Sequence, residues 1–113
     1  MNFSFGQSSK KSFSISKSGR QVDGATRINQ NLRYAESIFD DSLATALSII
    51  ESNLIIAVEK GYALEEGLAY KILGDFNHAL KNYNVALSNY KKSVKVYEKL
   101  GLKSSLYHVN INA

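Results

Sequence analysis

YNVALSNYKKSVKVYEKLG, residues 83–101, decides the fold of this chain. Its apolar and small residues fall on one face of a helix, and Gly101 is a natural terminator for that helix. Slid back along the chain until Tyr83 falls on Leu43, the stretch lies on LATALSIIESNLIIAVEKG, residues 43–61. Ala46-Leu47-Ser48 then falls on Ala86-Leu87-Ser88, Ile50 on Tyr90, Leu54 on Val94 and Gly61 on Gly101. A period of this length marks a supersecondary unit that buries its apolar face only by stacking on a neighbour.

Working outward, the spacing predicts a helix ahead of each of these two. From Ala25, residues Ile28, Leu32, Ala35 and Phe39 recur at i, i+4, i+7 and i+11. Asp40-Asp41-Ser42 offers capping oxygens to the helix that follows. That second helix, Leu43 to Lys60, is apolar nearly all round, and is expected to be the most buried element. A third begins near Ala63, carries Leu64, Leu68, Ala69, Ile72, Leu73 and Phe76, and stops between Leu80 and Asn82. The fourth runs from Tyr83 to about Leu100. Leu102, Leu106 and Val109 read as a short fifth helix, or the start of one, within residues 102–112.

A second register competes. Ala79, Tyr83, Ala86, Tyr90, Ser93 and Tyr97 form a heptad. In that register Gly74-Asp75-Phe76 is a turn and one helix runs from about 76 to 100. The longer offset is preferred because it keeps both Ala-Leu-Ser and the terminal glycine.

Composition supports a helical reading. Among 113 residues there is no proline and 44% are apolar, so little would break a helix. Absent cysteine removes disulfides, thiolate metal sites and thiol nucleophiles, and is compatible with a reducing, cytoplasmic location. No apolar run approaches the roughly 18 residues of a membrane span. Residues 1–24 are rich in Ser, Gly and Lys without helical period, and are expected to be a disordered arm preceding a helical domain at 25–113. Their composition is also that of a transit peptide, without its amphipathic face. The net charge of +4 equals that of residues 1–22, which carry Lys10, Lys11, Lys17 and Arg20 and no acid.

The residues carry a family resemblance. Leu73-Gly74, Tyr83, Ala86, Tyr90 and Ser93 resemble the tetratricopeptide repeat, in its longer variant. The match covers 61–101 well and 42–60 fairly. It is poor over 25–41, where Arg33-Tyr34 replace Leu-Gly, and Asn77 replaces the family's usual tyrosine. Close packing explains the pattern: Gly74, Ala86 and Ser93 are small where helices approach, and Tyr83 and Tyr90 fill the space beside them. The implied fold is all-α, with antiparallel pairs at about 25–60 and 62–100 stacked as a short solenoid.

The resemblance also implies a function. First helices of such pairs line a groove that holds a peptide or helix of a partner protein. By that reading the groove presents Leu68, Lys71, Asp75 and His78 from the third helix, with Asn31 and Tyr34 from the first. Asp75 stands where a carboxylate-clamping member would carry Asn, so that activity is not implied.

Nothing in the spacing points to catalysis. His78 and His108 are far apart in the chain and lack companion ligands, so no metal and no cofactor are expected. Glu65-Glu66 reads as first-turn complementation of the helix dipole. The protein is expected to be a non-enzymatic interaction module. Lys91, Lys92, Lys95 and Lys99 form a basic face on the fourth helix. With the arm, that face supports an alternative, binding of nucleic acid or an anionic surface. A third expectation is self-association through the Ala/Tyr heptad or the open end of a short array, which is otherwise a piece of a longer one.

Overall fold

The computed structural model describes residues 23–101; the arm and the expected fifth helix lie outside the described residues. Four helices follow in order: α1 Gly24–Ser37, α2 Leu43–Lys60, α3 Ala63–Ala79 and α4 Tyr83–Lys99. The helix pairs of the longer register are therefore present. The heptad register is not adopted, since Gly74-Asp75-Phe76 lies inside α3.

Local chemistry sets the ends. Asp23 caps α1, its Oδ1 accepting from the Thr26 N–H at 2.8 Å. That bond holds the Asp23 carboxyl below its ordinary range. Ser42, expected to cap α2 in the same way, makes no such bond. Its hydroxyl donates instead to Thr45 Oγ1 at 2.8 Å. α2 closes at Gly61, whose φ of 75° lets the Tyr62 N–H reach back to the Ala57 carbonyl. α3 closes with Lys81 in the same left-handed region, at φ 66°. There the Asn82 N–H reaches the Asn77 carbonyl.

Both pairs run antiparallel. Along α3, the residues Gly67, Gly74 and His78 meet Tyr97, Tyr90 and Tyr83 in descending order of α4. α3 lies against α1, α2 and α4, whereas α4 touches no other described helix. A core of Ile28, Leu32, Ala46, Ile50, Leu68, Ile72 and Phe76 joins α1, α2 and α3. Phe39, in the turn beyond α1, stacks on Phe76 at 4.3 Å. A second cluster of Ala86, Tyr90 and Tyr97 seats α4 on α3.

Burial follows the repeat. The buried positions of α2 are 46, 50, 53 and 57, and those of α4 are 86, 90, 93 and 97. Each is displaced from its counterpart by one full repeat. Ile28 and Leu32 of α1 stand in the same relation to Leu68 and Ile72 of α3.

α2 is not the most buried element. Ile55, Ile56 and Val58 are exposed. α3 takes that place because three helices surround it and only two touch α2. Apolar residues all round a helix required neighbours on every side, and the described chain supplies them on one. No helix among the described residues is long and apolar enough to cross a membrane.

Candidate functional site

The expected groove residues separate into three groups. Leu68 is buried and belongs to the core. Lys71 and Asp75 remain half-exposed one turn apart on α3, bridged at 2.8 Å from Nζ to Oδ2. The other Asp75 oxygen accepts from the Tyr90 hydroxyl of α4 at 2.6 Å. Asp75 is thus both surface charge and interhelical tie. Burial, and then the Asp75 carboxylate, push the Tyr90 phenol well above its ordinary range. His78 is exposed and meets the Tyr83 ring edge-on at 5.3 Å.

The two expected groove residues of α1 differ in their surroundings. Asn31 turns toward α2, where its Nδ2 donates to Asn53 Oδ1 at 3.0 Å. Asn53, itself buried, donates to the Ile49 carbonyl at 2.8 Å. Tyr34 is 57% exposed, at the position equivalent to Gly74.

The Tyr97 phenol feels the charges of Lys71 and Glu65 from α3 and of Arg33 from α1. Burial raises its pKa, against the opposing pull of Ser93, Lys71 and Arg33. Arg33, exposed on α1 and bridged to Glu36 at 2.9 Å, is the α1 charge that acts on this phenol. Its place in α1 was readable from the sequence, but its role became visible only once the neighbouring helix was known.

Of the repeat-packing residues, Gly74, Ala86, Tyr90 and Ser93 are buried. A Cβ on Gly74 would collide with the Tyr90 ring, and one on Gly67 would lie 2.5 Å from Tyr97 Cε1. The close approach lets Ser93 Oγ donate to the Gly67 carbonyl at 2.8 Å. Tyr83 is the exception. At the first turn of α4 it lies against His78 near the end of α3 and is 56% exposed.

The chain matches no protein-family model, no curated protein and no solved structure.

The basic face is a separate feature. Lys91, Lys92, Lys95 and Lys99 are all exposed on α4. The first three border a shallow depression of ≈ 380 Å³ with Asn84, Leu87 and Ser88. Lys92 also lies 5.7 Å above the Tyr70 ring, a cation–π distance. Among the described residues, no three His, Asp or Glu side chains gather as a metal site.

Proposed function

We propose that the chain is a non-catalytic, tetratricopeptide-like module that holds a peptide or helix of a partner protein. The partner lies along the side-by-side faces of α1 and α3. The observation that carries this reading is the recurrence of the buried positions from one pair to the next, which leaves both first helices with polar outer faces next to one another. Arg33, Lys71 and Asp75 supply charge of both signs there, which suits an extended segment with mixed polar side chains. His78 and Tyr83 provide a flat, amphipathic edge at one end.

The test is a peptide library panned against the full chain. Enriched peptides are expected to lose binding to Arg33→Ala and Lys71→Ala and to keep it with Lys95→Ala. Circular dichroism should remain unchanged in all three. No enrichment, or equal binding to every variant, overturns the reading.

The three lysines around the α4 depression favour a second reading, an anionic macromolecular surface. That reading expects binding of duplex DNA, RNA or acidic vesicles to fall steeply with salt and to vanish without residues 1–22. Binding insensitive to salt removes it. Both readings describe a cytoplasmic protein that works by assembling with others rather than by catalysis.

A further inference from the structure

The two pairs differ at one place, and the difference leaves a cavity. Between α1, α2 and the turn after α2 lies a space of ≈ 200 Å³. Arg27, Asn31, Asn53, Ile56, Lys60 and Tyr62 are among the residues that line it. In the second pair, the equivalents of Arg27 and Asn53 are Gly67 and Ser93. There the Tyr97 ring closes over Gly67, and Ser93 bonds to the Gly67 carbonyl. In the first pair Tyr97 is replaced by Ala57, which cannot reach. The large side chain is Arg27 instead, and it brings a charge.

That charge is incompletely met. Arg27 Nε is closed off from solvent and has no hydrogen-bond acceptor. A buried guanidinium donor left unpaired is costly and rare, and calls for an acceptor. The lining holds a second cation, Lys60, and no carboxylate. Neither cation takes part in an ion pair among the described residues. The remaining polar groups can donate. Asn31 Nδ2 spends one of its two protons on Asn53 Oδ1. The Tyr62 hydroxyl sits against Gly24, where a Cβ would lie 2.5 Å from it. The volume is below that of a pocket for a drug-sized ligand, so only a small group fits.

We infer that this cavity binds a small oxyanion, a phosphate or a carboxylate, between Arg27 and Lys60. Arg27 offers the planar donor fork that matches two oxygens, and Lys60 a point charge. Tyr62 and Asn31 complete the shell as neutral donors. The site stands apart from the α1–α3 face and does not depend on what that face binds. The oxyanion arrives either as a free ion or as the carboxylate of an acidic peptide; both present the same pair of oxygens.

Calorimetric titration of the full chain with inorganic phosphate, and separately with an acetyl-capped glutamate peptide, tests the site. Saturable binding of phosphate identifies a free ion, and saturable binding of the peptide alone identifies a carboxylate of a partner. In either case Arg27→Gln is expected to weaken binding about tenfold, the loss of one charge-assisted pair, with the exposed Lys81→Gln, which borders neither depression, as the unchanged control. A second variant, Arg27→Gly with Ala57→Tyr, transplants the filler of the second pair. It should abolish binding while circular dichroism stays helical. Absence of saturable binding by both probes overturns the inference, and so does binding that Arg27→Gln leaves unchanged. If the double variant fails to fold, Arg27→Gln still decides.

Discussion

The second helices of the two pairs bury the same register positions, but the pairs distribute bulk in opposite ways. In the second pair the first helix is small, with Gly67 and Gly74, and the second helix is large, with Tyr97 and Tyr90. In the first pair Arg27 and Tyr34 stand on the first helix, and Ala57 and Ile50 on the second. The repeat therefore preserves which positions of the second helix face inward and leaves free which partner fills the gap. Glycine opposite tyrosine lets backbones approach until Ser93 can bond to a carbonyl across the interface. Arginine opposite alanine keeps them apart and leaves the cavity. A repeat can thus turn a packing position into a polar pocket by moving bulk from one helix to the other.

The contrast can be broken most severely at Tyr97. Tyr97→Ala copies Ala57 into the second pair without supplying an arginine. It is expected to cost about 3–5 kcal/mol in chemical denaturation, the range for truncating a large buried aromatic. A cost near that of an exposed alanine substitution would show that the Gly67–Tyr97 contact is dispensable.

Gly74→Ala tests the glycine side. Its methyl group meets the Tyr90 ring, so overpacking of about 1–3 kcal/mol opposes the helix propensity gained. Tyr34→Ala, at the equivalent exposed position, is expected to be close to neutral or slightly stabilising. Equal effects at 34 and 74 would mean that the two pairs pack alike.

Ser93→Ala removes one buried interhelical bond and should cost about 1 kcal/mol, read from the same denaturation curves. The smallest effect at neutral pH is a titration. Burial raises the phenols of Tyr90 and Tyr97. The unfolded chain loses those protons first, near pH 10. The stability of the second pair is therefore complete below about pH 10 and falls as pH rises toward the folded values. Thermal melts across alkaline pH should show this fall, and it should be shallower in Tyr97→Phe.

Much of the fold was legible in the chain. The α2 range, Leu43–Lys60, and the start of α4 at Tyr83 agree with the expectation from spacing, and α1 begins one residue earlier than expected. Residues 28, 32, 46, 50, 72 and 86 lie inward as their periodicity required. The candidate site was less legible. Lys71 and Asp75 are half-exposed, and the Tyr90 hydroxyl on Asp75 comes from another helix, 15 residues away. Asn31, expected on the groove face, is tied to Asn53 across 22 residues, a bond that spacing along α1 does not reveal.

What the sequence determined by itself is local: helix period, terminating glycines and the recurrence of one helix pair in the next, because these depend on neighbours within a turn or two along the chain. Tertiary structure alone decided how many sides of each helix are covered. It left Ile55 and Val58 of an apolar helix in the open and surrounded α3 instead. It also decided that Arg27 and Lys60 line one cavity. Both outcomes depend on interhelical distance, set by the volumes of paired side chains on different helices, and no single helix records that sum.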